Sequence, residues 1–262
     1  MNILDTIIAR KRLEVKKRKQ QTSLADLEKG PFFKNETLSF SKFLSDEKRS
    51  GIIAEFKRRS PSKGVINTSS TVTEVTTAYA KYGASGISIL TDEDFFGGSL
   101  NDLLAATINE VPLLRKDFIV DEYQLIESKA FGAEVILLIA ACLTKSEVKK
   151  LAIFAKNTGL NVLLEIHNDE ELDHICDNVD VVGVNNRDLK TFTVDINRSI
   201  ELSKKIPADK IKISESGIDS IAAIKLLKQH GFSGFLMGEK FMKEKDPGDA
   251  FKNFAEELNK EQ

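Results

Sequence analysis

Short hydrophobic runs alternate with polar segments of helical periodicity along the chain from Gly51 onward. The runs are rich in valine, isoleucine and leucine, and they lack the polar alternation of a strand with one face in water. Such runs are typical of parallel strands covered on both faces. The pattern therefore predicts repeated strand–helix units. The eight predicted strands span residues 52–56, 87–90, 112–114, 135–139, 162–166, 181–184, 211–214 and 235–237.

Helix boundaries are marked between these strands. At predicted helix starts, a residue whose side chain can accept from free backbone amides stands three places before Glu or Gln. The pairs are Thr71 with Glu74, Asp121 with Gln124, Thr144 with Glu147, and Asn168 with Glu171. Glycine, which readily adopts the left-handed backbone that ends a helix, stands at the predicted ends: Gly83, Gly132, Gly159 and Gly231.

Polar residues follow nearly every predicted strand at its carboxyl end. This favours a closed barrel, because an open doubly wound sheet concentrates its site at one switch point. The sequence therefore predicts the α/β class, with a single (β/α)8 TIM barrel over residues 51–262. Residues 1–50 contain no strand-like run, and we expect them to form an N-terminal helical extension of the same domain.

The extension combines an apolar helix face with a run of basic residues. We interpret the basic run as a solvated helix face, while an RNA contact and the attraction of an anionic substrate stay open. A second short helix is expected over residues 40–44. The apolar face consists of Ile3, Leu4, Ile7 and Ile8, and the basic run of Arg10, Lys11, Arg12, Lys16, Lys17, Arg18 and Lys19.

Composition excludes several classes of function. With 38 Lys and Arg against 40 Asp and Glu, the formal charge of −2 leaves no excess of cations for a nucleic-acid backbone. The longest apolar run, residues 135–143, is far shorter than the roughly 20 residues of a membrane helix. Asp5 and Arg10 interrupt the first apolar stretch, which argues against a secretory signal. We expect no nucleic-acid partner, no membrane association and a cytoplasmic location.

Metal binding is not expected either. Cys142 and Cys176 lack the spacing of a zinc site and are interpreted as buried thiols in a reducing compartment. The three histidines show no ligand spacing. The acidic trio of residues 92–94 is interpreted as a solvated loop, and the two phenylalanines and two glycines after it as a loop over the barrel mouth.

Charged residues at the strand ends suggest acid–base chemistry. Because side chains alternate in direction along a strand, Glu55 and Lys57 can both point into the barrel mouth. Lys116 and Glu165 each follow a leucine pair at the end of another strand. Burial at these positions would raise the pKa of Glu165 and lower that of Lys116, which suits proton transfer.

The last two strands are followed by glycine-containing loops, residues 214–217 and 237–239. Barrels often hold phosphate with the loops after strands seven and eight, because glycine lets backbone amides approach an anion closely. The loop after the first strand, residues 58–64, adds hydroxyls and cations. A phosphorylated, anionic small molecule is therefore the expected ligand.

Taken in order, these strand-end motifs resemble the indole-3-glycerol phosphate synthase family of the tryptophan pathway. The likeness covers essentially the whole chain. Its matching stretches are IIAEFKRRSPSKG from Ile52, ILTDEDFFGGSL from Ile89, LLRKDFIVDEYQL from Leu113, LLEIHNDEEL from Leu163, VGVNNRDLKTF from Val182, ISESGI from Ile213 and GFLMGEKFMKEKDPG from Gly234.

The resemblance implies a lyase that closes the ring of a carboxyphenylamino-deoxyribulose phosphate, with loss of carbon dioxide and water and without a cofactor or metal. It implies a general acid at Lys116, a general base at Glu165, and a second acid at Lys57 positioned by Glu55. The other residues it implies are Asn185 and Ser216 in the catalytic network, and Ser60, Arg187, Glu215, Gly217, Gly238, Glu239, Phe118 and Leu137 around substrate and phosphate. At Glu239, where some relatives carry serine, we expect backbone amides to bind phosphate while the carboxylate turns away.

Other functions stay open at this stage. A phosphoribosylanthranilate isomerase-like enzyme would use one acid–base pair but leaves the second lysine unexplained. An aldolase would form a Schiff base at Lys116. A non-catalytic RNA- or protein-binding barrel would use the basic first helix. The sequence leaves the oligomeric state undecided, with a monomer allowed.

Overall fold

The computed structural model describes residues 3–189 and 191–260, and its core is a closed barrel of eight parallel strands. The barrel strands are β1 (Ile52–Phe56), β4 (Gly86–Leu90), β5 (Leu113–Lys116), β6 (Val135–Ile139), β7 (Asn161–Ile166), β8 (Val181–Asn185), β9 (Ile211–Glu215) and β10 (Gly234–Met237). They follow one another around the ring in chain order, and β1 closes it by pairing with both β4 and β10. The predicted fold class is confirmed, and each predicted strand agrees with the observed one within two residues at either end.

Helices surround the barrel and cover its amino-terminal opening. Two further strands, β2 (Arg59–Ser60) and β3 (Gly64–Val65), form an antiparallel hairpin in the loop after β1, where the sequence predicted only a loop. The α-helices are α1 (Ile3–Gln21), α2 (Leu24–Leu27), α3 (Phe40–Leu44), α4 (Val72–Lys81), α5 (Glu93–Phe96), α6 (Leu100–Ala106), α7 (Glu122–Ala130), α8 (Lys145–Asn157), α9 (Asn197–Ser203), α10 (Ile221–Gln229), α11 (Glu239–Met242) and α12 (Pro247–Lys260). Two 3₁₀ helices span Ala140–Cys142 and Asp169–His174.

The predicted helix boundaries largely hold. Thr71 and Thr144 form capping boxes with Glu74 and Glu147. Asp121 caps α7 by accepting from the Tyr123 amide. The four predicted terminating glycines all have positive φ, between 78° and 89°. Asn168 also caps, but the segment that it begins is a 3₁₀ helix, so the α-helix expected there was wrong.

Alternation along the strands divides the core into an outer and an inner layer. On β1, Ile52, Ala54 and Phe56 pack in the outer layer between barrel and helices, whereas Ile53 packs in the inner layer. Since successive side chains point to opposite faces, Glu55 points inward like Ile53. The same alternation on β7 turns Glu165 inward. The barrel interior therefore changes from apolar at its amino-terminal end to charged at its carboxyl end.

Helix α3 plugs the amino-terminal end of the barrel. Phe40 is fully buried and Leu44 nearly so, and both pack with the inner-layer residues of the strands. Two strand glycines make room for them. A Cβ on Gly86 would lie 3.0 Å from the Phe40 ring, and one on Gly234 would lie 2.8 Å from a Leu44 methyl. Helix α3, which precedes the barrel, thus contributes to the inner core.

Helix α1 packs through a narrower stripe than the sequence predicted. Ile7, Lys11 and Val15, spaced four residues apart on one face, are buried, whereas Ile3 is exposed. Lys11 is only 1% exposed, so the interpretation of the basic run as wholly solvated was wrong at this residue. The run is otherwise mostly exposed, with Arg18 half-buried.

Two further expectations from the sequence concern membranes and thiols. Within residues 3–189 and 191–260, no helix combines the length and the hydrophobicity needed to cross a bilayer. Cys142 and Cys176 are free thiols, as expected, but they are partly exposed rather than buried.

Candidate active site

A cavity of about 520 Å³ opens at the carboxyl ends of the strands. It is lined by loops from several strands together with Ile3, Leu4 and Ile7 of α1. Every site residue expected from the sequence lies on its wall: Glu55, Lys57, Ser60, Lys116, Phe118, Leu137, Glu165, Asn185, Arg187, Glu215, Ser216, Gly217, Gly238 and Glu239.

Two lysine–carboxylate pairs form the charged floor of the cavity. Lys116 Nζ lies 3.0 Å from Glu165 Oε2 and 3.6 Å from Glu215 Oε2. Lys57 Nζ lies 2.6 Å from Glu55 Oε1. The three glutamates are buried and the two lysines are only slightly exposed. Opposite charges held this close in a poorly hydrated space interact strongly, so each pair has a defined geometry.

The pairing reverses the pKa shifts expected from burial alone. Burial does disfavour both charged forms, but the carboxylates of Glu165, Glu215 and Glu55 outweigh it and raise the pKa of Lys116. Burial likewise opposes ionisation of Glu165, yet Lys116 and His167 together lower its pKa well below the usual range. The expected directions for Lys116 and Glu165 were therefore wrong, because the strand ends bring the two groups into contact.

The pKa of Glu215 shifts in the opposite direction to that of Glu165. Burial, reinforced by the nearby charges of Glu165 and Glu55, raises its pKa to about 8 even though Lys116 acts to lower it. Its Oε1 is buried without a hydrogen-bond partner among the described residues. Gly183 of β8 leaves the space that this side chain occupies. Lys116 and His167 thus favour the ionised form of Glu165, whereas burial and the neighbouring carboxylates favour the protonated form of Glu215.

Buried ionic contacts lie behind the β5 lysine. Asp117 follows Lys116 directly and pairs with Arg115 at 2.9 Å and with Lys11 of α1 at 2.9 Å. Lys11 also lies 2.9 Å from Asp92, which is 1% exposed. The acidic trio of residues 92–94 is therefore not a solvated loop throughout, since its first member belongs to this cluster. Strand alternation could not reveal the cluster, because its members come from distant parts of the chain.

The mouth of the cavity carries aromatic residues. Residues 93–96 form α5 rather than a loop, and its Phe96 lies with its ring centre 6.2 Å from that of Phe118. Both rings line the cavity, as do Leu137 and Ile139 of β6. This wall can accept the flat apolar face of an aromatic ligand.

Hydroxyls, glycines and cations also line the mouth. Ser60 and Ser62 lie on the hairpin after β1, with their hydroxyl oxygens 3.5 Å apart. The Ser216 carbonyl accepts from Asn186 Nδ2 at 3.0 Å, which fixes the turn that leads into Gly217. Lys63 Nζ pairs with Glu239 Oε1 at 3.5 Å, so the Glu239 carboxylate is directed to a cation. Such a concave surface with several donors suits an anion.

The family model described as indole-3-glycerol phosphate synthase matches residues 4–254 of the chain. The chain belongs to the indole-3-glycerol phosphate synthase family. That family works in tryptophan biosynthesis, and its enzymes are carboxy-lyases.

Curated members of the indole-3-glycerol phosphate synthase family align with this chain almost from end to end. The chain is similar to the Bacteroides thetaiotaomicron enzyme, with 47% identity over 258 residues that cover 98% of this chain and 99% of that one. For the Campylobacter jejuni enzyme the identity is 41%, covering 95% and 98% of the two chains. For the Salinibacter ruber enzyme it is 39%, covering 99% and 97%.

A solved structure of a mandelate oxidase variant shares the fold with this member of the indole-3-glycerol phosphate synthase family. Its TM-score is 0.59 at 16% identity, over 80% of this chain and 72% of that one. At this identity the likeness concerns the barrel alone.

Proposed function

We propose that the cavity catalyses the ring closure of carboxyphenylamino-deoxyribulose 5-phosphate to indole-3-glycerol phosphate, with Lys116 as general acid and Glu165 as general base. The observation that carries this proposal is the contact of 3.0 Å between these two groups in a cavity that also holds a second acid, Lys57. The reaction needs two protons delivered and one removed, without redox chemistry. Two lysines and an ionised glutamate meet that need.

The lining of the cavity suits both ends of the substrate. The aromatic portion would lie against Phe118 and Leu137, and the phosphate would bind at Ser60, Gly217 and Gly238. The remaining polar wall consists of Asn185, Arg187 and Ser216. In this orientation the sugar carbonyl lies over the two lysine–glutamate pairs.

The reaction begins with bond formation between two carbons. The aryl carbon that bears the carboxylate attacks the carbonyl carbon, and Lys116 donates a proton to the carbonyl oxygen. Breakage of the bond to the carboxylate then releases carbon dioxide and leaves its electron pair in the aromatic ring. The new hydroxyl departs as water with a proton from Lys57. Glu165 removes a proton from the methylene carbon next to the nitrogen, which completes the indole, and one proton is taken from solvent overall.

The acid and the base are coupled through their contact. While Lys116 is an ammonium, it lowers the pKa of Glu165 and keeps the carboxylate ionised. Once Lys116 has given up its proton, that cationic neighbour is gone and Glu165 becomes a stronger base. The geometry therefore favours an acid step before the base step. An ammonium in a poorly hydrated cavity also stabilises negative charge that develops on the carbonyl oxygen.

The direct test is to mix purified protein with the carboxyphenylamino-deoxyribulose phosphate in the presence of chelator and follow indole fluorescence and carbon dioxide release. Both signals should grow together. Folded protein that gives neither would overturn the proposal. Borohydride reduction in the presence of a sugar phosphate should leave Lys116 unmodified, whereas a trapped adduct would indicate an aldolase. A cytoplasmic location and a monomeric state also belong to this proposal, and cell fractionation and light scattering check them.

A further inference from the structure

His167 contacts Glu165 from outside the cavity. It is 7% exposed, and it does not belong to the lining of the cavity. Its Nε2 lies 3.2 Å from Glu165 Oε1, while Lys116 approaches the other oxygen, Oε2, at 3.0 Å. The two atoms are within ion-pair distance, but they lack the alignment of a hydrogen bond. The carboxylate of Glu165 is thus held between two nitrogen groups, of which only Lys116 lines the cavity.

Glu171 fixes the opposite edge of the imidazole ring. Its Oε2 lies 3.1 Å from His167 Nδ1 and accepts the His167 backbone N–H at 2.7 Å. Its Oε1 accepts from Asn168 Nδ2 at 3.0 Å, and Asn168 also caps the 3₁₀ helix that carries Glu171. Three donors therefore surround the Glu171 carboxylate, and the ring is held in one orientation.

This arrangement requires a proton on both ring nitrogens. Nδ1 faces a carboxylate oxygen, which can only accept, so Nδ1 must donate. If Nε2 carried a lone pair instead of a proton, it would face the negative Glu165 oxygen and repel it. The pKa of His167 agrees with a charged ring. Burial acts to lower this pKa, but the two glutamates outweigh burial and raise it to about 9.

Three other titratable groups on neighbouring elements act on Glu165 or lie close to it and His167. Lys116 of β5 contacts Glu165, and Glu215 of β9 acts on it through space. Cys142, which is partly buried on the 3₁₀ helix after β6, has its pKa raised by that partial burial and then by Glu165, Glu171 and Asp5. It stays a neutral thiol near pH 7. The glutamates at positions 165 and 171 therefore determine the charge of His167.

We propose that His167, held as a cation by Glu171, is a positioning residue that keeps the Glu165 carboxylate oriented toward the cavity throughout the reaction. This inference rests on the proposed role of Glu165 as the base. Its value to the reaction lies in timing. When Lys116 gives up its proton, one of the two cations beside Glu165 disappears, and His167 alone keeps the carboxylate in place for the later proton removal. Misplacement of a reacting group by about 1 Å can cost about 100-fold in rate.

The first test reads the charge of the ring without using activity. In a protein with ¹⁵N-labelled histidines, two-bond nitrogen–proton spectra distinguish a cationic ring from either neutral tautomer. His167→Gln assigns the signals among His167, His174 and His230. We expect the His167 ring to be cationic at pH 7.5 in the wild-type protein, and Glu165→Gln to lower its titration midpoint by about one pH unit or more. A neutral ring at pH 7.5 in the wild-type protein would overturn the proposal whether or not any variant folds.

The second test uses kinetics. His167→Gln should lower kcat by about 10- to 100-fold with KM changed less than about twofold, and the acidic limb of its kcat/KM profile should move to higher pH because Glu165 loses a cationic neighbour. Glu171→Gln, which keeps the ring but weakens its anchor, should show a smaller loss of the same kind. His174→Gln is the matched control, since the His174 ring nitrogens lie against the backbone carbonyls of Glu171 and Leu143, and it should match wild type.

The outcomes separate this inference from the proposed function. If His167→Gln keeps wild-type kcat while Glu165→Gln is inactive, His167 has no positioning role and the base assignment stands. If Glu165→Gln itself keeps near-normal turnover, both proposals are overturned. A loss in His167→Gln without the shift of the acidic limb would indicate a purely structural residue and would also overturn the inference.

Discussion

Lys11 Nζ of the first helix lies 2.9 Å from Oδ1 of Asp117, the residue that follows Lys116 in the chain. Both side chains are almost fully buried, and Asp92 approaches the same ammonium at 2.9 Å. The amino-terminal helix therefore forms an ion pair with the segment that carries the proposed general acid. A helix outside the barrel thus contacts the residue next to Lys116 at the carboxyl end of β5.

Lys11→Met should destabilise the protein by about 3–5 kcal/mol, because it leaves two buried carboxylates without their shared cation. Urea unfolding followed by circular dichroism measures the effect. Lys17→Met on the exposed face of the same helix is the matched control and should change stability by less than about 0.5 kcal/mol. Equal stability of the two variants would contradict a structural role for the buried cluster.

Removal of residues 1–50 should abolish cooperative folding of the barrel, since we propose that extension and barrel form one domain. The deletion would remove Phe40 and Leu44 from the end of the barrel and expose the inner apolar layer. The intact chain should unfold in a single transition by both far- and near-ultraviolet circular dichroism. Two separate transitions, or a truncated barrel of wild-type stability, would show that the barrel folds independently of the extension.

Lys116→Met should abolish ring closure, because methionine keeps an unbranched stem but cannot donate a proton. Loss of the ammonium also leaves Glu165 and Glu215 facing each other, so the pKa of Glu165 should rise. Indole fluorescence measures turnover, and circular dichroism checks the fold. Turnover within about tenfold of wild type by a folded variant would require another acid.

Glu215→Gln should stabilise the free enzyme at pH 8 by roughly 1–3 kcal/mol while impairing catalysis. The raised pKa of Glu215, about 8, means that the folded state retains a proton that the unfolded chain releases near pH 4.5. Folding is therefore penalised increasingly as the pH rises from 4.5 to 8. The variant has no such penalty, so its stability should depend less on pH in this window. If the free energy of unfolding changed by the same amount between pH 5 and pH 8 in both proteins, this prediction would be contradicted.

The effect of pH on stability has the opposite sign for Asp117. Burial acts to raise the pKa of this carboxyl, but Lys11 and Arg115 outweigh burial and lower it. Its contribution to stability is present above the unfolded pKa of about 4 and is lost as pH falls through the lower folded value. Acid titration of the wild type should therefore show a steeper loss of stability below about pH 4 than titration of Asp117→Asn. Urea unfolding at a series of acid pH values measures the difference, and identical slopes for the two proteins would contradict it.

Glu239→Ser should lower KM by roughly two- to fivefold with little change in kcat, because it removes a negative charge beside the proposed phosphate site and frees Lys63. Lys63→Met should raise KM. Glu244→Ser, an exposed acidic residue outside the lining of the active-site cavity, is the control and should leave KM unchanged. An increase of KM in Glu239→Ser would mean that the carboxylate helps to hold the loop in its binding position.

The strand pattern, the helix boundaries and the residues at the strand ends could be predicted from sequence, because each depends on local spacing. Continuous apolar runs identify buried parallel strands, and a barrel brings their carboxyl ends together whatever the loops between them. His167 was within reach of the same reasoning, since it stands two places after Glu165 and alternation puts both on one side of the chain.

Tertiary structure alone decided the charge states and the partners. Burial by itself predicts a raised pKa for Glu165 and a lowered one for Lys116, and the contact of 3.0 Å between them reverses both. Lys11 looks like one more solvated cation in a basic helix until the fold places Asp92 and Asp117 against it. Electrostatic energy depends on distances between residues far apart in the chain, and the sequence determines such distances only through the completed fold.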